Sequence, residues 1–289
     1  MSITLQLATP ASLEEVTETV ATWQQDGGAV QLHAGDLGWH WRFGAEELAG
    51  AVRVWRRHGQ ILAVGLVDGS RLIRMAVAPS ADRDDTLAAD LVADVSDPGR
   101  RGLLPADTEV VEARSGTAFR SLLRSSGWVD DAPWTPLCRD LTERVDAPRL
   151  RVEVVEGRNV EARVAVQRAA FSNSTFTLER WRAMAAAPPY RRARCLVGYA
   201  EHREPVAAAT VWSAGQGRPG LLEPVGVHRD HRGHGYGTAI SVAAAAALRE
   251  MGASSATVCT PGSNVRAVAT YVSAGFHRFP DVNDLRRPS

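Results

Sequence analysis

Residues 221–241, LLEPVGVHRDHRGHGYGTAIS, put a strand, a glycine-rich turn and the start of a helix in direct succession. Val225 and Val227 are the apolar strand residues, Arg232-Gly233-His234-Gly235-Tyr236-Gly237 makes the turn, and a long apolar-periodic segment follows. Such a turn exposes several backbone N–H groups at the positive end of a helix, and glycine lets a ligand come close to the backbone. The natural guest is a pyrophosphate. The pattern is neither Gly-x-Gly-x-x-Gly nor a P-loop, which would require Gly-Lys-Ser/Thr.

With 289 residues the chain is long enough for two ordinary domains. Its 33 basic and 33 acidic side chains balance, so no broad attraction to nucleic acid or anionic lipid is expected. Every one of the basic residues other than histidine is arginine, which excludes regulation by acetylation of its own lysines. Cys138, Cys195 and Cys259 are far apart, odd in number and without metal spacing, so neither a disulfide framework nor a metal site is expected. Cys259 lies in the run Ala256-Thr257-Val258-Cys259 and reads as a strand residue, not a nucleophile. The first residues, MSITLQLATPAS, do not resemble a signal peptide, and no run approaches a membrane span; a cytoplasmic protein without membrane partner is the expectation.

Along the chain the first half reads as a strand at 3–7 and a helix from Ser12, with Glu15 completing a capping box, to about Gln25. An aromatic segment follows at 35–44, in which Trp39, Trp41 and Phe43 alternate as in a strand. A helix is then expected over 45–57, a hairpin through Asp68-Gly69, a helix at 84–95, a strand at 109–112, a helix at 117–125 and a final strand. The second half repeats this order: strand 150–155, helices 159–171 and 177–187, strands 195–200, 205–213 and 221–227, helix 237–251, strand 255–259 and helix 264–274. The chain therefore reads as two copies of one fold joined near Glu143–Arg149, dividing it into residues 1–145 and 146–289.

A second motif stands about thirty residues after the glycine loop. In Ser263–Phe276, Val265, Val268, Val272 and Phe276 suggest an apolar core stripe, while Asn264, Ala267 and Tyr271 fall on a neighbouring one and Gly275 suits a left-handed cap. Asn-x-x-Ala-x-x-x-Tyr-x-x-x-Gly-Phe, together with Arg232, Gly235 and Gly237 in an Arg-x-x-Gly-x-Gly loop, resembles the GNAT (GCN5-related) N-acetyltransferase superfamily. The resemblance implies an α/β (α+β) chain of two tandem GNAT folds, each a mixed, mostly antiparallel central sheet flanked by helices. The tandem arrangement is similar to that of mycothiol synthase and its relatives among actinobacterial acetyltransferases. In the first half the glycines are replaced by Ala81-Asp82-Arg83-Asp84-Asp85-Thr86, whose aspartates would repel a pyrophosphate, and Leu123 stands where Tyr271 stands. That half is expected to be a degenerate copy that does not bind acetyl-CoA.

The chemistry the resemblance implies is acetyl transfer from acetyl-CoA, without a metal, to the amine of a small-molecule acceptor in a ternary complex. Val225, Gly226 and Val227 would offer backbone N–H groups to the thioester carbonyl. Arg232, Gly233, His234, Gly235, Tyr236, Gly237 and Thr238 would hold the pyrophosphate, and Asn264 would border the cofactor. Tyr271 would protonate the leaving thiolate, and Glu223 is the candidate base, weighed against an exposed strand carboxylate. His228, His231 and His234 are spaced three apart but belong to the phosphate loop, which argues against a metal. Phe171, Phe176 and Trp181 lie in the segment that borders the acceptor site in the family, with core packing expected for Phe171. A protein N-terminal or lysine acetyltransferase and a non-catalytic acetyl-CoA sensor or scaffold are the alternatives. The sequence leaves monomer and homodimer both open.

Overall fold

The computed structural model describes residues 3–145 and 150–288. The expected seam at 143–149 falls partly on residues 146–149, outside the described residues. The first half of the chain runs β1 (Thr4–Leu7), α1 (Leu13–Thr22), α2 (Ala34–His40), α3 (Ala45–Ala51), β2 (Val52–Arg57), β3 (Gln60–Asp68), β4 (Leu72–Val77), α4 (Asp85–Ser96), β5 (Val110–Glu112), α5 (Thr117–Ser125) and β6 (Val129–Asp140). The second runs β7 (Arg151–Val154), α6 (Val160–Ala170), α7 (Leu178–Ala185), β8 (Ala193–Tyr199), β9 (Pro205–Ser213), β10 (Gly220–Val227), α8 (Tyr236–Glu250), β11 (Ser255–Pro261), α9 (Val265–Ser273), β12 (His277–Arg278) and β13 (Val282–Arg286). The two halves share the order read from the sequence, except that three helices rather than two follow the first strand of the first half and the second half ends in two strands rather than one.

All the strands join one mixed, mostly antiparallel sheet in the order β1-β2-β3-β4-β5-β13-β6-β11-β10-β9-β8-β7, with β12 beside β6. Its centre is an exchange. The last strand of the chain, β13, pairs with β5 of the first half through Leu285↔Val111 and Arg286↔Val110. The last strand of the first half, β6, pairs with β11 of the second from Ser255↔Asp140 to Pro261↔Trp134. Separate apolar cores lie under the two halves, and a third, smaller cluster around Trp212 and Phe176 is built from the second half, with Trp39 of the first packed against it.

Three local readings are corrected. Residues 39–43 are not a strand: Trp39 ends α2, and Trp41–Phe43 form a 3-10 turn. His33 caps α2 reciprocally, accepting from Gly35 N–H at 2.8 Å on Nδ1 while its own N–H donates to Asp36 Oδ2 at 2.7 Å. The helix expected over 45–57 stops at Ala51, because Val52-Arg53-Val54-Trp55 pairs as strand β2 with β3. The first capping box is made by Thr9 and Ser12 rather than by Ser12 and Glu15, whose carboxylate pairs with Arg56 instead.

The halves are locked where α2 crosses Trp212. A Cβ on Gly35 would lie 2.5 Å from the Trp212 side chain, and one on Gly38 would lie 2.3 Å from its ring. Only glycine at both positions lets the helix lie flat on the indole, which is buried between them. Replacing Gly38 with alanine should cost about 1–3 kcal/mol through overpacking. By contrast Gly50→Ala, in α3 where an added Cβ meets nothing, should be neutral or stabilising by up to about 1 kcal/mol. Thermal unfolding of the two variants checks the contrast.

Candidate functional site

The site begins where two parallel strands part. β10 and β11 pair only at Gly220↔Ala256 and Leu221↔Thr257. On its other edge β10 keeps its ladder with β9, but the register shifts between Leu222 and Val225, at Glu223-Pro224. Pro224 has no N–H to give to a ladder, and the Trp212 indole N–H fixes the irregularity by donating to the Glu223 carbonyl at 2.8 Å. Beyond the shift, Val225, Gly226 and Val227 line a groove of about 750 Å³. A Cβ on Gly226 would lie 2.7 Å from Ala170 Cβ and 2.9 Å from the Phe171 ring, so glycine there admits the end of α6 against the strand.

The glycine loop forms the next wall. Gly233 and Gly235 adopt φ of +86° and +78°, and a Cβ on either would meet open space. No side chain caps α8 at Gly235, so the first N–H groups of this 15-residue helix remain available to a ligand. Arg232, Gly233, Gly235, Tyr236, Gly237 and Thr238 all border the groove. Arg232 also braces it: its guanidinium donates to the Ala170 carbonyl at 2.8 Å, beside the Arg229 bonds to Ala169 and Arg168. These cations sit at the carbonyl end of α6, where the helix dipole favours positive charge. His234 does not border the groove; its ring stacks on Tyr236 with centroids 5.8 Å apart. His231 Nε2 lies 3.1 Å from Glu204, and among the described residues no group of His, Cys, Asp or Glu is placed to hold a metal ion.

Helix α9 closes the far side. Asn264 caps it, accepting from Ala267 N–H at 3.2 Å, and also borders the groove together with Ala267 and Tyr271. The stripe expected to be core is corrected in part: Phe276 is buried and Val268 packs against the core, but Val265 is 70% exposed and Val272 50%. The helix buries Tyr271 and Ala274 instead, so its groove-facing and core-facing sides are largely the same side. Burial, with the nearby Glu223 charge, raises the Tyr271 hydroxyl above the ordinary phenol range, so it stays protonated at neutral pH. Arg266, which the motif reading passed over, adds an exposed cation to the groove.

Glu223 is not an exposed strand carboxylate. It is half-buried outside the groove, and its pKa is pushed up to about 7, first by burial and then by the Asp36 charge, against the pull of Arg74 and Arg42. All the charged neighbours that set it, Asp68 included, come from the first half of the chain. Asp36 and Glu112 both pair with Arg74, at 2.8 and 3.0 Å, and Arg114 continues the chain to Asp284 at 3.1 Å. Arg114 also donates to Cys259 Sγ at 3.3 Å; burial holds that thiol at about 11, which removes it as a nucleophile. No pattern in the sequence linked these residues to Glu223; the one available signal was the Gly35-x-x-Gly38 spacing that seats α2. A second cavity of about 470 Å³ shares Ala170 and Phe171 with the groove and is walled by Trp39 and Arg42 of the first half. Phe171, expected in the core, is 39% exposed at this junction, whereas Phe176 is buried.

At the corresponding place in the first half a cavity of about 460 Å³ is bordered by Val77, Asp82 and Thr117, but the helix start beside it is capped. Asp84 caps α4 by accepting from Leu87 N–H at 2.8 Å and is held by Arg57 at 2.5 Å. Asp82 takes the Thr117 N–H at 3.0 Å, and Leu123 is fully buried.

An acetyltransferase is the class of enzyme this geometry serves. Residues 160–276 match the Acetyltransferase (GNAT) family. It is similar in fold to a GCN5-related N-acetyltransferase from Sphaerobacter thermophilus, at 20% identity over 99% of this chain and 95% of that one, with a TM-score of 0.59. An acetyltransferase of the GNAT family from Colwellia psychrerythraea gives 12% identity over 99% of both chains and a TM-score of 0.61. A tandem GNAT protein from the clavulanic acid biosynthesis pathway gives 14% identity over 100% of both and a TM-score of 0.57. No curated protein sequence gives a significant match. Among the described residues no helix is long and apolar enough to cross a membrane.

The Glu223 carboxyl should titrate with a midpoint of about 7 in a carbon-13 NMR experiment on the labelled side chain. Asp68→Asn removes a charge that raises this value, so the midpoint should move down.

Proposed function

We propose that the protein moves the acetyl group of acetyl-CoA to the amine of a small-molecule acceptor by direct attack in a ternary complex. Residues 146–289 carry the active site, and residues 1–145 are a degenerate GNAT-like unit that shapes the acceptor side. The observation that carries this reading is the single groove running from the uncapped start of α8 to Tyr271. The capped helix start in the first half, with Asp84 on the start of α4, supports one active site per chain. The adjoining cavity of about 470 Å³ has the volume of a small-molecule site.

Acetyl-CoA supplies an activated acyl group; the chain supplies position and proton traffic. The N–H groups of α8 and of the loop bind the pyrophosphate, with Arg266 nearby. Backbone N–H groups in 225–227, on the edge where β10 leaves β11, donate to the carbonyl oxygen as it gains charge. Glu223, directly or through water, takes the proton that the amine loses on attack. Tyr271 gives its proton to the departing thiolate, so the products are the acetamide and free CoA.

Calorimetric titration of acetyl-CoA should give one site per chain, lost in Gly235→Asp; two sites, or none, would refute this assignment. Tyr271→Phe should lower kcat by about 10²-fold while leaving the acetyl-CoA Kd within about twofold. In the intact enzyme kcat/KM should rise with pH through about 7 as Glu223 ionises, a limb that Glu223→Gln should flatten.

A further inference from the structure

The cavity that joins the cofactor groove at Phe171 is lined by one ionisable side chain, Arg42, amid Trp39, Phe176, Ser172 and Asn173. Arg42 is held firmly. Its Nη1 donates to the Trp39 carbonyl at 2.7 Å, and its guanidinium carbon stands 4.3 Å from the Trp39 ring and 4.2 Å from the Phe43 ring. Phe43 is covered on another side by Arg180, at 4.8 Å, and Arg180 in turn holds the Thr175 carbonyl at 2.7 Å. Yet among the described residues Arg42 forms no ion pair, and burial lowers its pKa to about 10, against the pull of the Asp68 and Glu223 charges. A half-buried guanidinium with fixed orientation and free donors is costly unless something anionic completes it. Glu223 is not among the residues that border this cavity, but it is near enough to Arg42 for the two charges to be felt by each other.

Resting on the acetyltransferase reading, we infer that the acceptor is an amine that also carries a carboxylate, an amino acid or close analogue, with its carboxylate on Arg42 and its amine towards Glu223. The planar fork of the guanidinium matches a carboxylate through two parallel hydrogen bonds. The aromatic walls receive an apolar side chain, and the hydroxyl and amide groups of residues 172–175 border the polar end. Specificity in this arrangement comes from the first half of the chain, whereas the cofactor is held by the second.

The test uses product analogues, so that it does not depend on turnover. N-acetyl-L-alanine, N-acetyl-L-leucine and N-acetyl-L-phenylalanine, each against its carboxamide, are titrated calorimetrically into the full-length protein with and without saturating CoA. At least one acid should bind about tenfold or more tightly than its amide. Arg42→Gln should erase the difference, Arg42→Lys should keep part of it, and neither should change the Kd of CoA. Equal binding of acid and amide, a preference that survives Arg42→Gln, or no binding by any of the six compounds overturns the inference. Failure of the wild-type protein to bind CoA refutes the acetyltransferase reading separately, and the acid–amide contrast in the CoA-free titration still reports on Arg42.

Discussion

The contact on which the site depends is an indole pressed against two glycines. Trp212 belongs to the second half and is covered by Gly35 and Gly38 of the first, with Tyr190 edge-on at 6.2 Å. Dispersion and the exclusion of water favour such a flat contact, and any side chain at either glycine would hold the helix off. The same tryptophan fixes the strand irregularity at Glu223 through its N–H. One residue thus sets two things at once: how closely α2 approaches, and where the carboxylate lies that α2 and its neighbours tune. Asp36, Trp39 and Arg42 reach the site because of that docking, and not because their own stretch of sequence encodes a binding motif.

The two halves illustrate how a helix start is opened or closed. At α8 the turn residues are glycines in left-handed conformations with no acceptor of their own, and the N–H groups face a groove. At α4 an aspartate has moved in as the cap, and a second aspartate reaches across to the start of α5. A bound anion and a capping carboxylate satisfy the same orphan donors, so they exclude one another. An aspartate where the other half has glycine thus occupies donors that α8 leaves open.

The features legible in the sequence were those whose partners lie close along the chain. The loop at 232–238 and the helix bearing Tyr271 are short-range patterns, and the structure brings both to one groove. The repeat of elements was legible for the same reason. The environment of Glu223 was not, because Asp36, Arg42, Asp68 and Arg74 lie far from it in the chain and become neighbours only through the packing of α2 and the first sheet segment. Residues 39–43 misled because alternating aromatics mimic a strand, while the cap formed by His33 and Asp36 fixes a helix. Val265 and Val272 misled in the opposite way: apolar spacing identified a helix face correctly as a stripe, but the buried face belongs to Tyr271 and Ala274. Cores tolerate a valine left outside, whereas a tyrosine over a cofactor groove has one usable orientation.

The exchange of β6 and β13 bears on the birth of the molecule. Strand β5 emerges from the ribosome well before β13, the strand that covers its edge. The first half therefore has that edge open until β13 is made, with hydrogen-bonding groups facing water or chaperones, since the two strands lie far apart in the sequence. Strand β6 meanwhile waits for β11. Neither half completes this central pairing by itself, so a chain interrupted before β11 and β13 leaves edges of β5 and β6 unpaired where the finished sheet has β1 and β7 at its edges.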